Sequence, residues 1–126
     1  MANPNIVAVT SILGKTAYLT PSDTSANVLL ANAASSGEVL KINQIVAANV
    51  DGTGPVDTTV AVNTAAAGGG TSYPIVSTVS VPADASLIVT DKSTGLYLEE
   101  DKSIVVTSGT ASKIAYTISY EIISDA

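Results

Sequence analysis

The acidic residues of this sequence are the ones most able to bind a metal ion or take part in catalysis. Carboxylates gathered from neighbouring turns can hold a hard cation such as calcium, which takes about six to eight oxygen ligands. Three groups in turn-like stretches suggest such a site: Asp51 with Asp57, Asp84 with Asp91, and Glu99 and Glu100 with Asp101. None has the spacing of an EF-hand loop or an RTX repeat. Because acids also end strands and keep neutral surfaces soluble, we interpret them as turn residues and predict no metal site.

Two residue types that dominate catalytic sites, histidine and cysteine, are absent from the chain. It can therefore form no disulfide, thiolate nucleophile, Ser-His relay, or zinc or haem site of the usual ligand types. Paired carboxylates could still serve a glycosidase, but a sugar cleft is usually lined by aromatic rings, and the chain has no Trp, no Phe and only five Tyr. We expect no enzymatic activity, no cofactor and no small-molecule substrate.

The charge of the chain argues against two classes of partner. Five lysines, no arginine and eleven acids give a net charge of -6, whereas nucleic acid and anionic lipid bind to cationic surfaces. No apolar run approaches the roughly 18 residues that a membrane-spanning helix needs. The start of the chain also lacks the basic residues and apolar core of a signal peptide. We expect neither a nucleic-acid nor a membrane partner, and synthesis in a cytoplasm.

A low density of charge favours self-association. Charged residues are 13% of the chain and hydrophobic residues 46%, so the surface must consist largely of Ser, Thr, Asn and Ala. Such a surface can approach another copy of itself without desolvating many ions, and we expect a homo-oligomer. The candidate interface positions are the glycines and tyrosines near strand ends, namely Gly68, Gly69, Gly70, Tyr73 and Tyr97.

These residues must be positioned by β-strands. Val, Ile and Thr are frequent, and no sustained 3.6-residue periodicity indicates a helix. The clearest strand is the last, where one face carries Ile114, Tyr116, Ile118, Tyr120 and Ile122. Such alternation is typical of a half-buried antiparallel strand, with Tyr116 and Tyr120 in the core. A short strand over 103–107 precedes it, and we expect the two to form a C-terminal hairpin.

Further strands are separated by stretches rich in turn residues. A strong turn at 51–55 joins strands at 39–50 and 56–63, and a slip in the apolar pattern at Asn43-Gln44 predicts a β-bulge. The run 65–70 (AAAGGG) predicts a flexible loop. The remaining segments expected to be extended are 5–11, 16–19 beyond Gly14, 26–31, 75–81, 86–90 and 96–98.

Eight or nine short strands predict a single-domain antiparallel β-sandwich, with immunoglobulin-like or jelly-roll topology. We divide the chain into an N-terminal arm with the first strands (1–34) and a sandwich body (35–126). Five apolar residues could form an assembly arm: Ile6, Val7, Val9, Ile12 and Leu13. The arm could pair with the sheet of its own chain or add a strand to a neighbour.

Five stretches in the C-terminal two thirds share a pattern of strands and turns without a catalytic signature: 37–49 (GEVLKINQIVAAN), 73–90 (YPIVSTVSVPADASLIVT), 96–101 (LYLEED), 103–107 (SIVVT) and 119–121 (SYE). Together they resemble small virion structural proteins of tailed phages, particularly phages of marine cyanobacteria. The resemblance implies a β-sandwich subunit present in many copies on a particle, in contact with its own copies and other virion proteins. It implies no catalytic residues.

Three functional hypotheses remain open. The first is a virion structural protein that decorates or cements the phage head, or attaches at the neck or tail. The second is a carbohydrate- or receptor-binding β-module that uses the loop 65–71 and its neighbours. The third is a self-assembling filament or fibre subunit with a donated N-terminal strand.

Overall fold

A computed structural model describes residues 11–93 and 95–124 of the chain. Within these residues the backbone forms nine β-strands and no helix. The strands are β1 Ser11–Leu19, β2 Asn27–Asn32, β3 Glu38–Asn49, β4 Val56–Asn63, β5 Ser72–Val81, β6 Ser86–Thr90, β7 Leu96–Leu98, β8 Lys102–Ser108 and β9 Ile114–Ser124. The all-β prediction is confirmed.

The strands form two antiparallel sheets, and every consecutive pair except β4–β5 and β6–β7 changes sheet. Sheet A has the order β1-β9-β3-β6, with β7 also paired to β3, and sheet B has the order β2-β8-β4-β5. The pairs are nested: β4 with β5, β3 with β6 and β7, β2 with β8, and β1 with β9. A long antiparallel ribbon rolled in this way is a jelly roll, one of the two predicted topologies.

The core lies between the two sheets, where the inward-facing side chains of both meet. Its largest fully buried side chains are Tyr116, Ile42, Ile45, Leu98, Ile104, Ile114 and Ile118. Tyr116 is buried as predicted, and its hydroxyl hydrogen-bonds to Thr58 and to the Thr107 carbonyl oxygen. Tyr120 is partly buried against this core. Each buried Ile or Leu side chain contributes roughly 1.5–3 kcal/mol through loss of contact with water.

The predicted β-bulge is confirmed. The register between β3 and β9 shifts between Ile42 and Gln44. Ile42 and Ile45 are both fully buried although they are three residues apart, which strict two-residue alternation does not permit. The extra residue lets both halves of a twelve-residue strand point their apolar side chains into the core.

Two predictions about strand connections are wrong. β8 and β9 form no hairpin, since β8 lies in sheet B and β9 in sheet A. The segment that links them is fixed by hydrogen bonds to distant parts of the chain. Gly109 N–H donates to the Asp57 carbonyl at 2.8 Å, and Ser112 N–H donates to the Pro21 carbonyl at 2.8 Å. Gly14 does not interrupt a strand either, because it lies within β1 with a Cα partner on β9.

Three buried asparagines fix the ends of consecutive strands. Asn32, Asn49 and Asn63 are the last residues of β2, β3 and β4, and each is only 2% exposed. Asn49 donates from Nδ2 to the carbonyls of Val81 and Gly54 at 2.9 and 3.1 Å, and its Oδ1 accepts from Asp51 N–H at 2.8 Å. These side chains satisfy backbone groups that the sheets leave unpaired where the chain turns away.

Candidate functional site

The acidic turns are hydrogen-bonded turns of one local design. Asp23, Asp51 and Asp91 each stand two residues before a Ser or Thr. In each, Oδ1 accepts the N–H of that residue, at 2.9 to 3.2 Å. The hydroxyls of Thr53 and Ser93 donate to the same oxygen at 2.5 Å. Side-chain hydrogen bonds, from Asn27 to Asp23, from Thr53 to Asp51 and from Ser93 to Asp91, lower the pKa of all three carboxyls below their usual value.

Asp51 and Asp91 were predicted to serve turns and not a metal site. Each accepts hydrogen bonds within its own turn. Across residues 11–93 and 95–124, no group of three or more Asp and Glu side chains is arranged to hold a metal ion. In the same ranges, no helix has the length and apolarity that a membrane span requires.

The predicted interface loop between β4 and β5 is closed by hydrogen bonds at its base. Thr64 N–H donates to the Thr71 carbonyl at 3.0 Å, and Asn63 Oδ1 accepts from the N–H groups of Ala65 and Gly70 at 3.0 and 2.9 Å. Gly68 has φ of +82° and lies so close to Val28 that a Cβ would approach its methyl carbon to 3.1 Å. The predicted 65–70 loop is thus anchored at both ends through Asn63 and Thr64.

The structure does not bring the predicted interface tyrosines together. Tyr73 lies on β5 at the edge of sheet B, and Tyr97 lies on β7 at the edge of sheet A, opposite Lys41. Both rings are exposed, by 62% and 46%. Tyr73 is the single tyrosine within or next to the 65–71 loop, so this loop has little of the aromatic surface that a sugar-binding site needs.

Predicted arm residues Ile6, Val7 and Val9 lie outside the described residues. Ile12 and Leu13 belong to β1, where they lie opposite Ile123 and Ile122 of β9 in the same chain. Both nevertheless remain more than half exposed, at 56% and 54%. At these two positions the arm pairs with its own sheet while its side chains stay available to a partner.

A neutral row of side chains crosses the outer face of sheet A. The strand registers place Tyr18 opposite Thr117, Thr117 opposite Val46, and Val46 opposite Ile88. The end members Tyr18 and Ile88 are 80% and 59% exposed. Sequence analysis missed this row, although the outward positions of the last strand were visible in its alternation.

The outer face of sheet A carries few charges near this row. Lys41 and Glu121 lie opposite each other on β3 and β9, and their charged atoms are 4.0 Å apart. An exposed pair at this distance contributes little to stability, about 0–1 kcal/mol. The pair does, however, bring opposite charges together on a face whose central row, from Tyr18 to Ile88, is uncharged.

Comparison with known proteins finds structural likenesses to solved chains, and those described below have TM-scores under 0.5. No protein-family model and no curated protein matches the chain. A chain from Bacillus endospore appendages, described as a novel family of disulfide-linked pili, is 19% identical with a TM-score of 0.48, over 99% of this chain and 94% of that one. The present chain has no cysteine with which to form such links.

Two chains from infectious bursal disease virus also match. The Gx strain gives 8% identity and a TM-score of 0.43 over 90% of this chain, and the Gt strain gives 6% and 0.40 over 94%. The present chain spans about a third of each viral chain, 33% and 32%. At these identities and TM-scores the likenesses support no conclusion about function.

Proposed function

We propose that this chain is a non-enzymatic structural subunit that works by assembling in many copies. The observation that carries the proposal is the neutral row on sheet A, where Tyr18 and Ile88 are exposed among Thr and Val side chains. Exposed aromatic and aliphatic side chains on a surface with few ions favour protein contacts, because little charge must be desolvated.

The mechanism is geometric. A rigid jelly roll presents edges and faces in fixed directions, so that each copy meets symmetric neighbours in the same way. Individual contacts between small subunits are modest, but many of them on one particle add through multivalency. No chemical step is needed for such a role.

We place this subunit on the virion of a tailed phage, where it decorates or cements the head, with neck or tail attachment as the second position. The support is the resemblance of the five stretches between 37 and 121 to small virion proteins. Its partners are then copies of itself and neighbouring virion proteins, and it reaches the virion after synthesis in the host cytoplasm.

A filament or fibre subunit is a second candidate, favoured by one specific observation. β1 is an edge strand whose side chains are largely exposed, so its outer edge can accept a strand from a neighbour. Deleting residues 1–10, which leaves β1 intact, is expected to abolish filaments if those residues are the donated strand. Filaments of unchanged length after the deletion would exclude that role.

Immunogold electron microscopy of purified particles, with an antibody to this chain, tests the virion proposal. Label over the head supports decoration, and label at the neck or tail supports attachment. Particles without label, from a lysate in which the protein is abundant, would overturn the proposal.

A further inference from the structure

The four edges of the two sheets differ in how they resist the addition of a strand. β2 has only six residues and a register shift after Val28. β5 contains Pro74, two register shifts, and Thr78 with φ of 52°. β6 and β7 are two short strands with a break between them. Short strands, prolines and bulges are the means by which proteins prevent pairing at an edge.

β1 is neither short nor interrupted by a proline or a bulge, and its one protective feature is the charge of Lys15. Its nine residues pair with β9 in one continuous register, from Ser11 opposite Ser124 to Leu19 opposite Tyr116. It contains no proline and a single charge, at Lys15. Among the described strands, none pairs with its second edge. A long, regular, largely uncharged edge of this kind is a template for another strand.

The charge distribution favours a second copy of the chain as the occupant. Two copies with a net charge of -6 repel each other over most of their surfaces. The first acidic residue of the sequence is Asp23, so the whole of β1 is free of acids and carries one lysine. Two copies that meet edge to edge at β1 therefore bring no acidic side chains of that strand together.

We propose that β1 pairs antiparallel with β1 of a second copy about a two-fold axis at Thr16, which joins the two A sheets into one. The proposal rests on the self-association in the proposed function and specifies its first contact. An isologous contact of this type closes on itself and yields a dimer, the building block for larger assemblies.

The side chains favour this register over the adjacent one with its axis at Lys15. Residues directly opposite each other in a strand pair point to the same face of the sheet. A two-fold axis that keeps each sheet face continuous must therefore lie midway between the two copies of one residue, which face each other. An axis at Lys15 places two lysines directly opposite each other, which is unfavourable. An axis at Thr16 pairs Thr16 with itself and Leu13 with Leu19, and Thr–Thr and apolar cross-strand pairs are stabilising.

The same register places Tyr18 opposite Gly14 of the other copy. A Cβ at Gly14 would meet nothing within 4 Å, and the Tyr18 ring is 80% exposed. An aromatic ring covering a glycine across a strand pair is a recognised stabilising arrangement. In the dimer, the Tyr18 ring of each copy thus covers the open space beside Gly14 of the other copy, which gives two equivalent contacts.

Disulfide trapping tests the register. Because the chain has no cysteine of its own, every disulfide that forms must involve the introduced cysteines. Thr16→Cys places two thiols directly opposite each other, and mild oxidation of the full-length protein is expected to give mostly covalent dimer on a non-reducing gel. Ile12→Cys is the matched control in the same exposed strand. Its two thiols lie eight residues apart in register, on the order of 25 Å, and it is expected to stay monomeric.

A mixture of Gly14→Cys with Tyr18→Cys is expected to yield a heterodimer, whereas each variant alone yields little. Independently, Thr16→Lys is expected to raise the dimer dissociation constant at least about tenfold in sedimentation equilibrium. Ser77→Lys, on the protected edge strand β5, is expected to leave it unchanged.

Monomer from Thr16→Cys, or equal cross-linking of Thr16→Cys and Ile12→Cys, would overturn the pairing. Cross-linking of Thr16→Cys to Ile6→Cys instead of to itself would identify residues 1–10 of a neighbour as the occupant and would also overturn it. If the protein is abundant on particles but fails these tests, the β1–β1 contact is excluded and the proposed function stands. If the protein dimerises as described but is absent from particles, the virion role is excluded and the contact stands.

Discussion

At the residue scale, three buried amides hold the ends of strands in this fold. Asn32, Asn49 and Asn63 each end a strand within a similar short pattern of two apolar residues followed by Asn. Each uses its amide to hold the loop that follows it to the strand end. Buried amides with full hydrogen bonding are costly to remove, because the groups they satisfied lose both protein and water partners.

Asn49→Ala should therefore destabilise the protein strongly. It leaves the carbonyls of Gly54 and Val81 and the N–H of Asp51 without this partner, and we expect a loss of about 2–4 kcal/mol in the free energy of unfolding. Urea denaturation followed by circular dichroism measures it. Asn27→Ala is the control, because its side-chain hydrogen bonds are exposed and its loss should cost no more than about 0.5 kcal/mol. Equal effects of the two substitutions would refute the structural role of Asn49.

The three aspartate turns predict a pH dependence. Hydrogen bonds hold the pKa values of Asp23, Asp51 and Asp91 below the ordinary 3.8 in the folded state. Their stabilisation is then present above pH 3.8 and is lost as the pH falls through the lower folded-state values. Replacing all three by Asn should flatten the acid limb of a plot of Tm against pH. An unchanged acid limb in the triple variant would contradict the assignment.

At the element scale, the alternation of β9 and the slip at Asn43 were enough to predict a half-buried strand and a bulge, because both follow from the two-residue period of a strand. The C-terminal hairpin was predicted wrongly for a physical reason. A short polar link such as 108–112 suits a hairpin and a crossover between sheets equally well, and the long-range hydrogen bonds to Asp57 and Pro21 that decide between them leave no local signal.

The position of the β4–β5 loop was predicted from the sequence, but the differences among its glycines were not. Its glycines differ: a Cβ at Gly70 would collide with Thr64 Oγ1 and lie 3.1 Å from Ala65 N, whereas a Cβ at Gly69 would meet nothing within 4 Å. Composition alone cannot distinguish three consecutive glycines, because the difference arises from the surrounding contacts.

Gly70→Ala should consequently lower the stability by about 1–3 kcal/mol through steric strain. Gly69→Ala should be neutral or slightly stabilising, because it restricts the unfolded chain without creating a clash. Differential scanning calorimetry of the pair measures the difference in Tm. A Gly69→Ala variant that is as unstable as Gly70→Ala would show that the loop packs differently.

At the scale of the whole molecule, composition predicted a low-charge β-sandwich suited to assembly, and the structure provides the jelly-roll order and the surfaces. The neutral row from Tyr18 to Ile88 and the open edge of β1 could not be located from sequence. Both depend on which strands lie side by side, and strand order is set by the total of long-range contacts rather than by any one segment. The assignment of this chain to a phage particle remains a proposal that rests on sequence resemblance.

The most direct test of the central claim is a count of copies of this chain on purified virions by quantitative mass spectrometry against the major capsid protein. A subunit that works by multivalent assembly should be present at a fixed ratio in many copies per particle, and the ratio should persist through repeated gradient purification. Absence of the chain from intact particles, or a ratio that falls with each purification step, would contradict the account.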